Sequence, residues 1–233
     1  MTSNADDPGL DVTWLRAQLT PLADPKRAQS MTAYLKDQFP FLGVGAPERR
    51  SAQRPLLGLV NPRNPAVPTS AVLDFADACW GEAEREFQYV AVDLLRKCAR
   101  LLGPDDLDRI EHLIRTRSWW DTVDGLAAWV VGPLVATNRS LVTTMDRWIG
   151  DDDLWIARTA ILHQLSYKEA TDRDRLFSYV LTRSDDPDFF IRKAAGWALR
   201  QYARTDPQAV AEFVRLREDR LSALTIREAT KHL

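Results

Sequence analysis

The chain has 233 residues, of which 45% are hydrophobic and 27% are charged, and its 31 Lys and Arg nearly balance its 33 Asp and Glu. This composition excludes a disordered chain, a collagen-like repeat and a disulfide scaffold, and no apolar run approaches the roughly 20 residues that span a bilayer. The net charge of −2 argues against a uniformly basic nucleic-acid binder, although it allows local basic patches.

The segment 1–8 has neither the basic flank nor the apolar stretch of a signal peptide, and we predict that it is disordered. No shift in composition marks a boundary further along, so residues 9–233 are predicted to form a single domain. Cys79 and Cys98 lie in helical patterns without metal-ligand spacing, which indicates buried free thiols in a reducing cytoplasm.

Apolar residues recur at positions i, i+3, i+4 and i+7 in segment after segment, as is typical of amphipathic helices, and no segment has the pattern of a strand. The sequence therefore predicts an all-α fold. The predicted helices, in chain order, are 9–20, 25–39, 46–57, 68–79, 82–102, 105–117, 119–134, 138–149, 153–167, 170–183, 187–204, 207–217 and 223–233. Short connections rich in Pro, Gly or Asp separate most of them, and the three prolines of 61–70 predict a longer loop.

A weak internal repeat relates two of these helices. Segment 152–165 superimposes on segment 186–199 at a period of 34 residues, and the matched pairs are Asp152/Asp186, Arg158/Arg192, Ala160/Ala194 and Leu165/Leu199. A repeat of helix-pair length predicts a HEAT-like solenoid, a right-handed α/α superhelix of about six helix pairs with a long concave binding surface.

The segment 117–134 is the densest in residues that could carry chemistry. Trp120 and Asp124 are four residues apart and therefore share one helix face. Ser118 and Asp121 have the spacing of a helix cap, which predicts a structural role for Asp121. Trp129 is predicted to pack in the core stripe of Leu126, Val130 and Leu134.

Two stretches contain basic residues without acidic ones. In 189–204, Lys193, Trp197 and Arg200 share a face by helical spacing, and Arg192 and Arg204 accompany them. The second stretch carries Arg49, Arg50, Arg54 and Arg63. Such stretches suit a phosphate backbone. For Arg158 and Arg192 an Asp–Arg ladder between helical repeats is the open alternative.

Other chemistries have little support, because the sequence has no phosphate-binding glycine loop, no HExxH, no GxSxG and no Cys/His cluster. The three histidines, His112, His163 and His232, are too scattered for a metal site, and His163 is predicted to lie in or near the core. We therefore expect no cofactor and no metal.

Five ordered segments resemble the bacterial AlkD-type DNA alkylation repair glycosylases, and the resemblance extends from about residue 25 to residue 233. The segments are QFPFLGVGAPERR (38–50), EREFQYVAVDLL (84–95), SWWDTVDGLA (118–127), RTAILHQLSYK (158–168) and FFIRKAAGWALRQYART (189–205). The resemblance implies a HEAT-like superhelix that excises cationic N3- and N7-alkylated purines from double-stranded DNA without flipping the base.

The resemblance also implies roles for individual residues. Trp120 and Trp197 would face the lesion, and Asp124 would be the catalytic carboxylate. Arg158 would contact the DNA backbone near the lesion, and Tyr34 would line the same cleft. The basic stretch adds Arg192, Lys193 and Arg200 as expected backbone contacts.

Three hypotheses follow: a monomeric DNA glycosylase of the cytoplasm without a membrane partner, a non-catalytic HEAT-like module that binds distorted or branched DNA, and a protein-binding scaffold. Retention of Asp124 beside both tryptophans favours the enzyme, because a pure DNA binder has no use for a carboxylate that faces phosphates. The basic stretches disfavour the scaffold.

Overall fold

The computed structural model of the chain describes residues 9–63 and 66–233. Within these ranges all regular elements are helical and no strand occurs, so the all-α prediction is confirmed. The predicted disorder of 1–8 lies outside the described residues. No helix in the described part of the chain is long and apolar enough to cross a membrane.

The chain divides into two compact units, one that ends at Leu102 and one from Gly103 to Leu233, called here the N-terminal unit and the C-terminal unit. The single domain predicted for 9–233 stays a prediction. The helices of the N-terminal unit are α1 (Val12–Leu19), α2 (Pro25–Tyr34), α3 (Ala46–Ala52), α4 (Arg54–Leu59), α5 (Thr69–Gly81) and α6 (Arg85–Cys98). Those of the C-terminal unit are α7 (Leu107–Arg115), α8 (Trp120–Leu126), α9 (Gly132–Thr137), α10 (Val142–Trp148), α11 (Leu154–Leu162), α12 (Arg173–Thr182), α13 (Phe189–Tyr202), α14 (Pro207–Leu216) and α15 (Ala223–Ala229).

In the N-terminal unit, α5 packs against α6, and the predicted buried thiols of Cys79 and Cys98 lie in this core. A buried carboxylate on α6, that of Glu86, accepts hydrogen bonds from the backbone N–H groups of the loop before α3, including those of Gly43 and Val44 at 2.8 and 3.0 Å. Both oxygens of this buried carboxylate accept hydrogen bonds from the loop. The charge therefore stabilises the packing of the loop on the helix rather than destabilising the core.

In the C-terminal unit, α13 packs on both α11 and α15. The acidic connections that the sequence marks as turns serve as helix N-caps. The carboxylate of Asp153 accepts from the N–H of Trp155 at 2.8 Å, and that of Asp188 accepts from the N–H of Phe190 at 2.6 Å. Such caps satisfy helix N–H groups that lack an intrahelical partner, so they define where α11 and α13 begin.

Most predicted helices are a few residues longer than those in the structure, and three differ in ways that their backbone explains. The helix predicted over 25–39 ends at Tyr34, because Lys36 and Asp37 adopt positive φ values of 60° and 59°. The helix predicted over 46–57 is divided at Gln53 into α3 and α4. The helix predicted over 119–134 contains a π-helical segment, Ala127–Val131, between α8 and α9.

The π-helical segment explains an error in the predicted core. Leu126, Val130 and Leu134 are fully buried as predicted, but Trp129 is 42% exposed. In a π-helix the hydrogen bonds run from i to i+5, so the turn is wider and position i+3 moves away from the apolar stripe. The prediction that Trp129 packs in that stripe is therefore wrong.

His163 is buried, as the sequence predicts, and burial lowers the pKa of its imidazole from 6.5 to about 4. The folded state thus favours the neutral ring, and the stability that this gives is present above pH 6.5 and is lost as the pH falls through 4. We expect His163 to account for a loss of about 3 kcal/mol in the free energy of unfolding over that range. Denaturant unfolding of the parent and of His163→Phe at several pH values checks this prediction. The free energy of unfolding of the variant should fall less between pH 6.5 and 4 than that of the parent, and an equal fall in both proteins would contradict the assignment.

Candidate active site in the C-terminal unit

Helix α8 carries the Trp–Asp pair found in the sequence. It begins at Trp120, and its first turn contains Asp121, whose negative charge suits a helix N-terminus. The predicted cap from Ser118 is wrong, because the Ser118 hydroxyl donates instead to the carbonyl of Ile114 at 2.6 Å, in the preceding helix. The N-cap residue is Trp119, which makes no side-chain capping bond.

The carboxylate of Asp124 forms a bidentate ion pair with Arg158 of α11. Arg158 Nε donates to Asp124 Oδ1 at 2.7 Å, and Nη2 donates to Oδ2 at 2.8 Å. The third guanidinium nitrogen donates to the carbonyl of Phe190 at the start of α13. Arg158 is only 3% exposed, so its planar fork connects three helices and fixes the orientation of the carboxylate.

Opposing effects act on the acidity of Asp124. Burial raises its pKa, the hydrogen bonds and positive charge of Arg158 lower it, and the negative charge of Asp121 raises it further. Burial is the largest of these effects, so the pKa lies above its ordinary value. Arg158 therefore opposes the effect of burial and favours the ionised form of this carboxylate.

An open cleft of ≈ 330 Å³ in the C-terminal unit has Asp124 in its wall. Three helices, α8, α11 and α13, contribute side chains to it, and the aromatic and cationic residues of the two sequence motifs meet there. The lining residues are Trp120, Asp124, Arg158, Phe189, Phe190, Lys193, Trp197 and Arg200. The structure thus brings together Trp120, Asp124 and Trp197, for which the resemblance implies a common site.

Packed aromatic rings support this cleft. Trp119, Trp155 and Phe190 form a cluster with ring centroids 5.0–5.6 Å apart. Phe189 contacts Phe190 at 5.4 Å and is itself 57% exposed. Because the cluster immobilises the start of α13, the carbonyl of Phe190 has a defined position from which to accept the bond from Arg158.

The cations of α13 face the cleft, as their spacing predicts, but they are paired. Lys193 Nζ lies 2.6 Å from one oxygen of Glu228, and Arg200 Nη1 lies 2.8 Å from the other. Arg192 has a different environment, because its Nε donates to the backbone carbonyl of Asp186 at 2.7 Å. This contact is local to the turn before α13. It therefore resembles the structural role that the sequence left open for Arg192 more than a DNA contact.

The other predicted residues belong to the N-terminal unit. Tyr34, at the end of α2, is 69% exposed, and its place in the same cleft as Asp124 stays a prediction. In the second basic stretch, Arg49 pairs with Asp93 at 3.4 Å and lies over the ring of Tyr89. That arginine therefore stabilises the packing of α3 on α6.

Three residues of the site were absent from the sequence prediction. Phe189 and Phe190 stand three and two residues before the predicted Arg192, so their position at the helix start was a usable signal. Glu228 lies 28 residues beyond Arg200, and no local pattern connects the two. Among the described residues, no group of three or more His, Cys, Asp or Glu could hold a metal ion.

The fold and the cleft define an all-helical protein with one carboxylate among aromatic and cationic side chains. The chain matches the model of the DNA alkylation repair enzyme family over residues 15–233. It is also similar to a solved structure described as a predicted DNA alkylation repair enzyme from Enterococcus faecalis, with 33% identity, a TM-score of 0.82, and coverage of 91% of this chain and 96% of that chain. No curated protein gives a significant match. The chain belongs to the DNA alkylation repair enzyme family.

Proposed function

We propose that this protein is a monofunctional DNA glycosylase of the AlkD-type, HEAT-like kind, which hydrolyses the N-glycosidic bond of 3-methyladenine and 7-methylguanine in duplex DNA as a step of base excision repair. The observation that carries the proposal is the meeting of Trp120, Asp124 and Trp197 in one open cleft. Membership of a DNA alkylation repair family supports it at the level of the process.

The chemistry of the substrate sets what the site must supply. Alkylation at purine N3 or N7 gives the base a positive charge and weakens its bond to the sugar. When that bond breaks, both electrons leave with the base, which departs neutral and needs no general acid. The positive charge develops on the deoxyribose, as in other glycosidic hydrolyses. Water then forms a bond to C1′ and releases a proton.

Asp124 is suited to this reaction, because a carboxylate stabilises a developing cation and can accept a hydrogen bond from the attacking water. The ion pair with Arg158 holds the carboxylate in one orientation before the substrate arrives. Trp120 and Trp197 add indole faces that attract cationic and CH-rich groups, each contributing roughly 0.5–2 kcal/mol. The openness of the cleft suits a base that remains stacked, since a flipped base requires an enclosing pocket.

The partner is double-stranded DNA with alkylated purines, bound by a monomer through local rather than net charge. Lys193 and Arg200 are the proposed backbone contacts, because both line the cleft beside Trp197. Tyr34 and Arg192 are proposed as further DNA contacts. For Arg158 we propose the orientation of Asp124 as its main role, with the backbone contact as the alternative.

One assay tests the proposal. The protein is incubated with methylated duplex DNA, and released bases are separated by chromatography. We expect 3-methyladenine and 7-methylguanine above the level of spontaneous depurination, and no release from unmodified duplex. Duplex binding without release of either base would contradict the proposal.

The second candidate is a non-catalytic module that binds damaged or distorted DNA. The observation that favours it is the occupation of both Asp124 oxygens by Arg158, because such a pair can serve packing alone. The same assay separates the candidates, since the module would retain duplex affinity and leave the methylated bases in place.

A further inference from the structure

The two cations beside Trp197 share a single carboxylate. Glu228, on α15, places Oε1 at 2.6 Å from Lys193 and Oε2 at 2.8 Å from Arg200. The Glu228 side chain is 10% exposed, whereas those of Lys193 and Arg200 are 38% and 21% exposed. The anion therefore lies behind the cations, and the cations face solvent in the cleft.

The position of this carboxylate is fixed by close packing between α13 and α15. A Cβ atom at Gly196 would lie 2.6 Å from the Cβ of Glu228 and 2.8 Å from the carbonyl of Thr225. Only glycine permits this approach, which sets the backbone of α15 directly against the turn of α13 that separates Lys193 from Arg200. The hydroxyl of Thr225 also donates to the carbonyl of Arg192 at 3.1 Å. The Cβ of Glu228 is thus held close to α13, beside both of its cationic partners.

Because Lys193 and Arg200 both pair with Glu228, the cleft presents less positive charge to DNA. Lys193 and Arg200 carry two positive charges and Glu228 carries one negative charge, so together they present a net +1 rather than +2. A phosphate that approaches either cation competes with Glu228 for the same N–H donors, and it also meets the field of the anion. The two cations lower the pKa of Glu228, so its charge persists at neutral pH.

We propose that Glu228 is an internal counterion of the DNA-binding cleft. It weakens the binding of any duplex by Lys193 and Arg200 and so lowers the affinity for undamaged DNA. This inference rests on the proposed function. It makes Glu228 a residue that determines specificity: an undamaged duplex offers phosphates alone to the cleft, whereas a lesion adds cation–π and carboxylate contacts with Trp120, Trp197 and Asp124.

The test measures binding to a short, unmodified, fluorescein-labelled duplex by anisotropy, at salt concentrations between about 50 and 200 mM. We expect Glu228→Gln to bind about 3- to 10-fold more tightly than the parent, and the slope of log Kd against log salt to steepen by about one. The matched control is Glu212→Gln, which makes the same charge change at an exposed position of α14. The control should show neither effect.

A second comparison ties the effect to the two cations. In the Lys193→Ala/Arg200→Ala background, Glu228→Gln should no longer tighten binding. Should Glu228→Gln fail to fold in a thermal melt, Glu228→Asp serves in its place. It keeps the charge but withdraws the oxygens from Lys193 and Arg200 by one methylene, and it is expected to tighten binding by a smaller factor in the same direction.

The results separate the two proposals. Equal or weaker duplex binding by the folded Glu228 variant overturns the counterion inference, as does an equal gain from Glu212→Gln. Release of methylated bases by the parent is scored in a separate reaction. A parent that binds duplex but releases no base therefore contradicts the glycosylase proposal while the counterion inference is decided by the anisotropy data alone. If neither the parent nor the variant binds duplex, both proposals fail.

Discussion

Asp124→Asn is expected to slow the release of 7-methylguanine from duplex DNA by about 10²–10³-fold, the usual cost of removing one preorganised electrostatic group. Asparagine keeps the shape of the side chain but lacks the negative charge that would stabilise the sugar cation. Duplex affinity should change little, because a carboxylate near phosphates gives binding no help. Release of 3-methyladenine should be less sensitive, since its glycosidic bond is weaker. Single-turnover excision at saturating enzyme measures the chemical step apart from binding.

The ion pair makes a stability control necessary. In Asp124→Asn the amide NH₂ cannot accept a bond from Arg158, so the buried guanidinium keeps only one side-chain acceptor. Thermal melts should accompany the excision assay. The assay must be carried out at a temperature well below the Tm of the variant. Asp121→Asn is the matched control on the same helix, and its rate should stay near that of the parent because Asp121 does not line the cleft. If Asp124→Asn releases 7-methylguanine at the parent rate, Asp124 is not catalytic and the DNA-binding module becomes the better interpretation.

Much of the site was predictable because its residues lie at helical spacings. Trp120 and Asp124 are one turn apart on α8, and Lys193, Trp197 and Arg200 follow the same rule on α13. A stable amphipathic helix must turn one stripe inward, so residues beside that stripe share a surface without any knowledge of the tertiary fold. The acidic turns were equally informative, because Asp at a helix start has a local reason to be there.

Other features depend on contacts that the local pattern does not encode. In the sequence Arg158 is one of several arginines. It becomes the partner of Asp124 only through the packing of α8, α11 and α13. Glu228 shares no spacing rule with Lys193, and its role depends on the close approach that Gly196 allows. The π-helical turn over Ala127–Val131 changes the phase of the helix within five residues, so Trp129 leaves the predicted stripe.

Arg158→Ala is expected to cost about 3–5 kcal/mol in the free energy of unfolding, because it leaves the partly buried carboxylate of Asp124 without its counterion. The sequence predicts a phosphate contact for Arg158 and therefore a salt slope reduced by about one. The structure leads us to expect an unchanged slope, since Asp124 and the carbonyl of Phe190 already occupy the guanidinium. Denaturant unfolding and salt-dependent anisotropy measure the two effects separately. A slope reduced by one would assign Arg158 to the DNA backbone.

The same substitution should also make excision depend on pH. Burial raises the pKa of Asp124 and Arg158 lowers it, so in Arg158→Ala the pKa rises further. If catalysis needs the ionised carboxylate, the rate of the variant should fall at acidic pH and recover as the pH rises through the new pKa. Stability should respond in the opposite direction. A carboxyl group with a raised pKa stabilises the fold below its unfolded pKa, and that stabilisation is lost as the pH rises through its folded pKa.

Arg115→Ala is the matched control for this variant. Arg115 pairs with Asp151 at 2.6 Å in a more exposed setting, so its loss should cost about 1 kcal/mol or less and should leave the pH profile of excision unchanged. Single-turnover rates and unfolding free energies of the parent, Arg158→Ala and Arg115→Ala over the same pH series give the comparison. Opposite slopes of rate and stability in Arg158→Ala alone would identify Asp124 as the titrating group. Identical profiles in all three proteins would show that Arg158 does not keep Asp124 ionised, and its pairing would then be structural only.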